Sequence, residues 1–102
     1  MPSVEQLRKM LDESNPDPFV LYALAQEHAK RGEHATAIEW FDRCLAVDRH
    51  YCYAYYHKAR SQEATKDMDG ARATLEAGVK AAREARDAHA ESEIRGYLDM
   101  LE

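Results

Sequence analysis

"AIEWFDRCL", residues 37 to 45, sets Ile38, Phe41, Cys44 and Leu45 on one face of a helix, because the i, i+3, i+6, i+7 spacing follows the helical period. The same face recurs at a fixed distance. A step of 34 residues back lands on Val4, Leu7, Met10 and Leu11, and a step of 34 forward lands on Arg72, Leu75, Gly78 and Val79. A small residue precedes each set in register: Ser3, Ala37 and Ala71. The segments between match as well, with Leu21, Leu24 and Ala25 stepping onto Tyr55, Lys58 and Ala59. Short polar turns, "KRGEH" at 30–34 and "TKDMDG" at 65–70, join these segments to the recurring helix. The unit is therefore a helical hairpin of 34 residues, present about two and a half times.

Boundary residues agree with that unit. Ser3 and Gln6 have capping-box spacing. Asp17 offers a cap oxygen ahead of Pro18, where a missing N–H does no harm. Gly32 suits the left-handed conformation that ends a helix. Asn15-Pro16 and Asp48-Arg49 separate successive hairpins. The expected helices lie near 3–13, 18–31, 35–47, 52–65, 69–84 and 88–101. "AAREARDAHAESE" holds neither Gly nor Pro, so the last two could equally be one long, bent helix.

A chain of 102 residues makes one domain or one short array of repeats, too small for a deep catalytic cavity. With 45% hydrophobic and 32% charged residues it reads as a soluble globular chain. A net charge of -5 argues against nucleic acid, whose phosphates require a basic face. No run approaches a membrane span, and "MPSVEQLRKM" lacks the apolar core of a secretory signal, so the expected location is cytoplasmic, without membrane insertion. Cys44 and Cys52 form no CxxC pair and are expected as packed thiols rather than a disulfide.

The recurring hairpin resembles the tetratricopeptide repeat (TPR). Leu21, Leu24, Ala25, Gly32, Ala37, Phe41, Cys44 and Leu45 hold that pattern's places in residues 18–51, and Tyr55, Ala59, Ala71, Leu75, Gly78 and Val79 hold them in 52–85. Residues 3–17 match only the second helix. "DPFVLYALA", residues 17–25, is similar to a segment of small bacterial proteins that also begin with a half repeat. The resemblance implies a single all-α domain over 1–102, a right-handed α-α superhelix. It would comprise a half repeat (3–17), repeat 1 (18–51), repeat 2 (52–85) and a C-terminal capping helix (86–102). It also implies a protein-interaction module. Departures fall in the second unit: Arg49 replaces the usual proline, Lys58 the leucine and Gln62 an aromatic, while Arg72 sits on a face meant for burial. The second repeat is expected to be the looser one.

In such a stack the first helices of successive repeats line the concave surface. "YCYAYYHKAR", residues 51–60, then divides between two tasks: Tyr55 packs within its hairpin, while Tyr53, Tyr56, Arg60 and Glu63 lie on another face. Their counterparts one period earlier are Phe19, Tyr22, Gln26 and Ala29; the first three, with Lys30 close by, join them as candidates. These eight residues are the candidate peptide-binding groove, and three or four aromatic anchors at about 1.5–3 kcal/mol each suit a micromolar complex. The competing reading has the same tyrosines packing on the terminal helix or forming a homodimer through Tyr51, Tyr53 and the terminal helices. Lys58 must either snorkel or meet a carboxylate, its own chain's or a ligand's. The Lys and Asn set with which some members of the family clamp a C-terminal carboxylate is not reproduced by Tyr22, Gln26 and His57.

Catalytic motifs are missing from the sequence: it has no phosphate-cradling glycine loop, HExxH, GxSxG or paired CxxC. His50, Cys52 and His57 lack a fourth partner for a closed zinc site. His28 is expected as a hydrogen-bonded core residue, and Glu91 and Glu93 point to different sides of a helix. The expected protein is not an enzyme and carries no cofactor or metal; its partner is a protein or peptide of unnamed identity.

Overall fold

Ser3 starts the fold. Its hydroxyl accepts from the Gln6 N–H and the Gln6 side chain accepts from the Ser3 N–H, a reciprocal cap that opens α1 (Val4–Met10). Asp17 caps α2 (Pro18–Lys30) through the Phe19 N–H at 2.9 Å. There follow α3 (His34–Val47), α4 (Cys52–Ala64), α5 (Met68–Glu84) and α6 (Ala88–Met100). The computed structural model describes residues 2–101, so Met1 and Glu102, the outer limits of the 1–102 domain, lie outside the described residues.

Three turns share one construction. The residue after the helix cap adopts positive φ at Gly32 (77°), Lys66 (66°) and Arg86 (57°). In each, the next residue's N–H reaches back to the carbonyl of the last helical turn: Glu33 to His28, Asp67 to Gln62, Asp87 to Ala82. These are Schellman bonds, which satisfy carbonyls the helix end leaves without partners. Glu33, Asp67 and Asp87 then serve as the caps of the following helices. The third turn separates α5 from α6, and the Asp87 carboxylate accepts from the Ala90 N–H at 3.0 Å. No glycine or proline is needed there, because a left-handed arginine does the turning.

The recurring face is the core. Leu7 shares a cluster with Val20 and Leu24 of α2. Phe41 shares one with Leu21 and Ala25 of α2 and Ala54 of α4, and Leu75 one with Ala59 of α4 and Ile94 of α6. All three side chains are at most 1% exposed. Each helix thus buries its apolar side on its neighbours in the chain, the nearest-neighbour packing of a helical repeat array. The superhelical arrangement measures 39 × 30 × 20 Å.

Several expectations need correcting. Met10 is 56% exposed rather than packed, and α1 ends there, short of residue 13. Arg72 escapes the buried face by reaching Asp69 at 2.5 Å. Lys58, left open between snorkelling and a carboxylate of its own chain or of a ligand, pairs with Asp42 of α3 at 2.7 Å. Tyr55 packs as expected, with its hydroxyl donating to the Arg49 carbonyl at 2.8 Å. His28 is bonded through Nδ1 to Glu33 at 2.8 Å and stacks over Trp40. Cys44 and Cys52 are buried thiols, and burial pushes the Cys44 pKa up to about 12.

Candidate binding groove

Alternate helices build the groove. α4 packs on α3 and reaches α2; in the same way α6 packs on α5 and reaches α4. The terminal helix is therefore more than a lid: it occupies the place of a first helix in a third hairpin. α2, α4 and α6 then stand side by side, and two recesses open between them.

The first recess, ≈ 350 Å³, lies between α2 and α4 and is lined by Gln26, Lys30, His34, His57, Arg60 and Ser61, with two alanines. The second, ≈ 430 Å³, lies between α4 and α6 and is lined by Tyr56, Arg60, Glu63, Glu93, Gly96, Tyr97 and Met100. Arg60 borders both.

A ladder of rings forms the wall. Tyr22 meets the His57 ring edge-on at 5.9 Å, His57 meets Tyr56 at 5.2 Å, and Tyr56 meets Tyr97 at 5.1 Å. Behind them Tyr22 also packs on Tyr51 at 4.9 Å and on Phe41 at 6.0 Å. Offset and edge-to-face pairs of this kind hold rings in fixed orientations. Burial, helped by the Tyr51 and Cys44 groups beside it, pushes the Tyr22 pKa up to about 12, and the hydroxyl accepts from Gln26 at 3.3 Å. The Tyr97 hydroxyl donates to Glu63 at 2.5 Å; burial and then that carboxylate push its pKa up. Burial and then Arg60 hold the His57 pKa below its ordinary 6.5.

Of the eight candidate residues, Gln26, Lys30, Tyr56, Arg60 and Glu63 line the recesses. Tyr22 stands in the wall behind the first recess. Tyr53 packs against the C-terminal cluster and donates from its hydroxyl to Glu93 at 3.2 Å. Phe19 is 55% exposed and borders neither recess. The four aromatics therefore do not form one exposed stripe, because α6 covers part of it and Tyr51 fills another part. The eight candidates left out His34, His57, Ser61, Glu93, Tyr97 and Met100. A further step of 34 from Glu63 reaches Tyr97 in α6, and that step was the signal for Tyr97; Glu93 and Met100 had none, since the same step reaches them from the buried Ala59 and from Lys66 in a turn. His34 and Ser61 had none, since they meet only when α3 folds against α4 and the ring Nδ1 comes within 3.1 Å of the hydroxyl. Among the described residues, no group of three or more His, Cys, Asp or Glu is placed to hold a metal ion, and no helix is long and apolar enough to cross a membrane.

The pattern of the tetratricopeptide repeat matches residues 20–51 and 53–84. A tetratricopeptide repeat domain protein from Salinibacter ruber, solved in solution, superposes with a TM-score of 0.79 at 34% identity, over 84% of this chain and 87% of that one. A crystal structure described in the same terms gives 0.75 at 33%, over 83% and 96%. A Bordetella parapertussis protein, at 23% identity and a TM-score of 0.83 over 99% and 88%, shares the fold. In sequence, a TPR repeat-containing protein of Pseudomonas aeruginosa is 27% identical over 97% of this chain and 94% of its own length.

Proposed function

As a member of the tetratricopeptide repeat family, in its small bacterial form, this chain is a non-catalytic protein-interaction module, and we propose that it binds a peptide or protein segment along α2, α4 and α6. The observation that carries this reading is the pair of adjoining recesses with Arg60 between them. Together they offer one continuous track with an aromatic wall and polar groups at intervals, the anatomy of a segment-binding groove. The wall is pre-formed, so little ordering entropy is lost in it on binding.

The test takes peptides captured on the immobilised chain from a bacterial lysate and titrates them against the wild type, Arg60→Ala, Tyr56→Ala and, as a control, Glu39→Ala. Affinity should fall about tenfold for each groove variant, the loss of one good contact, and stay unchanged for the control. Equal affinity in all four would remove the groove from the reading.

A second reading, self-association, is favoured by the exposed C-terminal end of α6, beside the second recess. Met100 is 82% exposed, Leu98 and Leu101 are partly so, and among the described residues no following helix packs there. Tyr51 would take no part, since its ring is held against Tyr22. Light scattering decides: a dimer of the wild type that Met100→Glu converts to monomer supports this reading, and a wild-type monomer at high concentration rules it out.

A further inference from the structure

The first recess is unlike the rest of the molecule in charge. The chain carries 19 acidic and 14 basic residues, yet no carboxylate lines this recess. Cationic or N–H-bearing groups converge on it instead from three helices: Lys30 from α2, His34 from α3, and His57 and Arg60 from α4. Ser61, 1% exposed, holds the His34 ring by its Nδ1 at 3.1 Å. Acidic groups appear beyond Arg60, where Glu63 and Glu93 border the second recess beside Tyr56, Tyr97 and Met100. The groove is therefore polarised along its length, positive at one end and apolar with negative charge at the other.

We propose that the recess between α2 and α4 receives an acidic side chain, Glu or Asp, from the bound segment, with an apolar residue of the same segment in the recess between α4 and α6. This rests on the groove reading above and adds to it the chemistry and direction of the ligand. A cavity of ≈ 350 Å³ accommodates a whole side chain with its stem, more than a chain-end carboxylate needs. Inside it, Arg60 supplies a planar fork of donors and Lys30 a mobile ammonium. Lys30 now pairs with Glu27 at 3.1 Å with 63% of its side chain exposed, a contact weak enough to be exchanged for a ligand. His57 is half-enclosed by the ring ladder, and a carboxylate beside it would offset the burial that disfavours its charged form. A reversed segment would set its acid against Glu63 and Glu93, so the same charges select one direction.

The probes are pools of short peptides, acetylated and amidated at their ends, with a fixed central Glu, Gln or Lys and a fixed neighbouring Leu. One further Gln pool keeps its terminal carboxylate. Each is titrated into the uniformly ¹⁵N-labelled chain, and the backbone amides are followed. The Glu pool should move the amides of Lys30, His34 and Arg60 at about tenfold lower concentration than the Gln pool, the worth of one charge-assisted contact. That advantage should shrink at high salt and in Lys30→Gln, an exposed substitution that leaves the core untouched. Glu and Gln pools of equal strength, both moving groove amides, would overturn the acidic subsite and leave the groove standing. A Gln pool with its terminal carboxylate matching the Glu pool would overturn the side-chain assignment in favour of a chain end. A Lys pool that binds most tightly overturns the charge reading, and a chain whose groove amides respond to no pool removes this inference and the groove together.

Discussion

Gly78 shows how a single residue sets the distance between helices. A Cβ built on it would lie 2.8 Å from Tyr55 Cβ and 3.3 Å from Ile94 Cγ2, so α5 meets both α4 and α6 through a backbone with no side chain. One period earlier the same places hold Cys44 and Leu21. Gly78→Ala gains about 1 kcal/mol of helix propensity but forces a backbone-proximal overlap costing about 1–3 kcal/mol. With backbone-proximal Tyr55 Cβ as the nearest atom the overlap should win, and urea unfolding should show a net loss of up to about 2 kcal/mol. His57 makes a second residue-scale case. Its neighbours are Tyr56 and Arg60 on its own helix, Tyr22, Gln26 and Lys30 from α2, and His34 from α3. Because its folded pKa lies below 6.5, the unfolded chain takes the proton first. Its contribution is thus whole above 6.5 and declines as pH falls from there toward the folded pKa. Thermal melts from pH 7.5 to 5 should lose less stability for His57→Gln than for wild type.

At the scale of the element, the turns hold stored cost. Gly32 is in the left-handed region where glycine is at ease, but its counterpart one period on is Lys66, and Arg86 ends α5 in the same way. A side chain in that region costs about 1–2 kcal/mol. Lys66→Gly should therefore raise stability by about 0.5–1 kcal/mol in denaturant titration, some of the gain being offset by glycine's greater freedom when unfolded. Lys58 and Asp42 bridge α4 to α3 at 2.7 Å with the aspartate half exposed. Lys58→Leu should shift stability by less than about 1 kcal/mol and leave peptide affinity unchanged. The helices and their hairpin turns were legible in the sequence because caps and apolar spacing are local signals. The left-handed backbone of Lys66 and Arg86 was not, since neither residue advertises positive φ; the Schellman bonds and the cap that follows impose it.

Across the molecule, stability is passed from neighbour to neighbour. Ile94 is fully buried and ties α6 to α5 and, through the Leu75 cluster, to α4. Ile94→Ala should cost about 2–4 kcal/mol. Hydrogen exchange should show the loss first in α6 and α5, with α2 and α3 keeping protection, because a repeat array opens from the damaged end. The groove was legible only in part for the same reason. A period of 34 residues identifies which faces align, and Gln26, Lys30, Tyr56, Arg60 and Glu63 follow from it. Which of the aligned residues remain open depends on what packs over them, and Tyr22 and Tyr53 were taken up by Tyr51 and Glu93.

Repetition of one apolar face at constant spacing was enough to specify helices, hairpins and stacking order, since each helix can bury that face only on its neighbours. The division of the concave side into a positive and an acidic recess came from the tertiary structure alone. It depends on where α3 and α6 bring His34, Glu93 and Tyr97 relative to Arg60, and charges distant in the chain acquire a common field only once packing has placed them side by side.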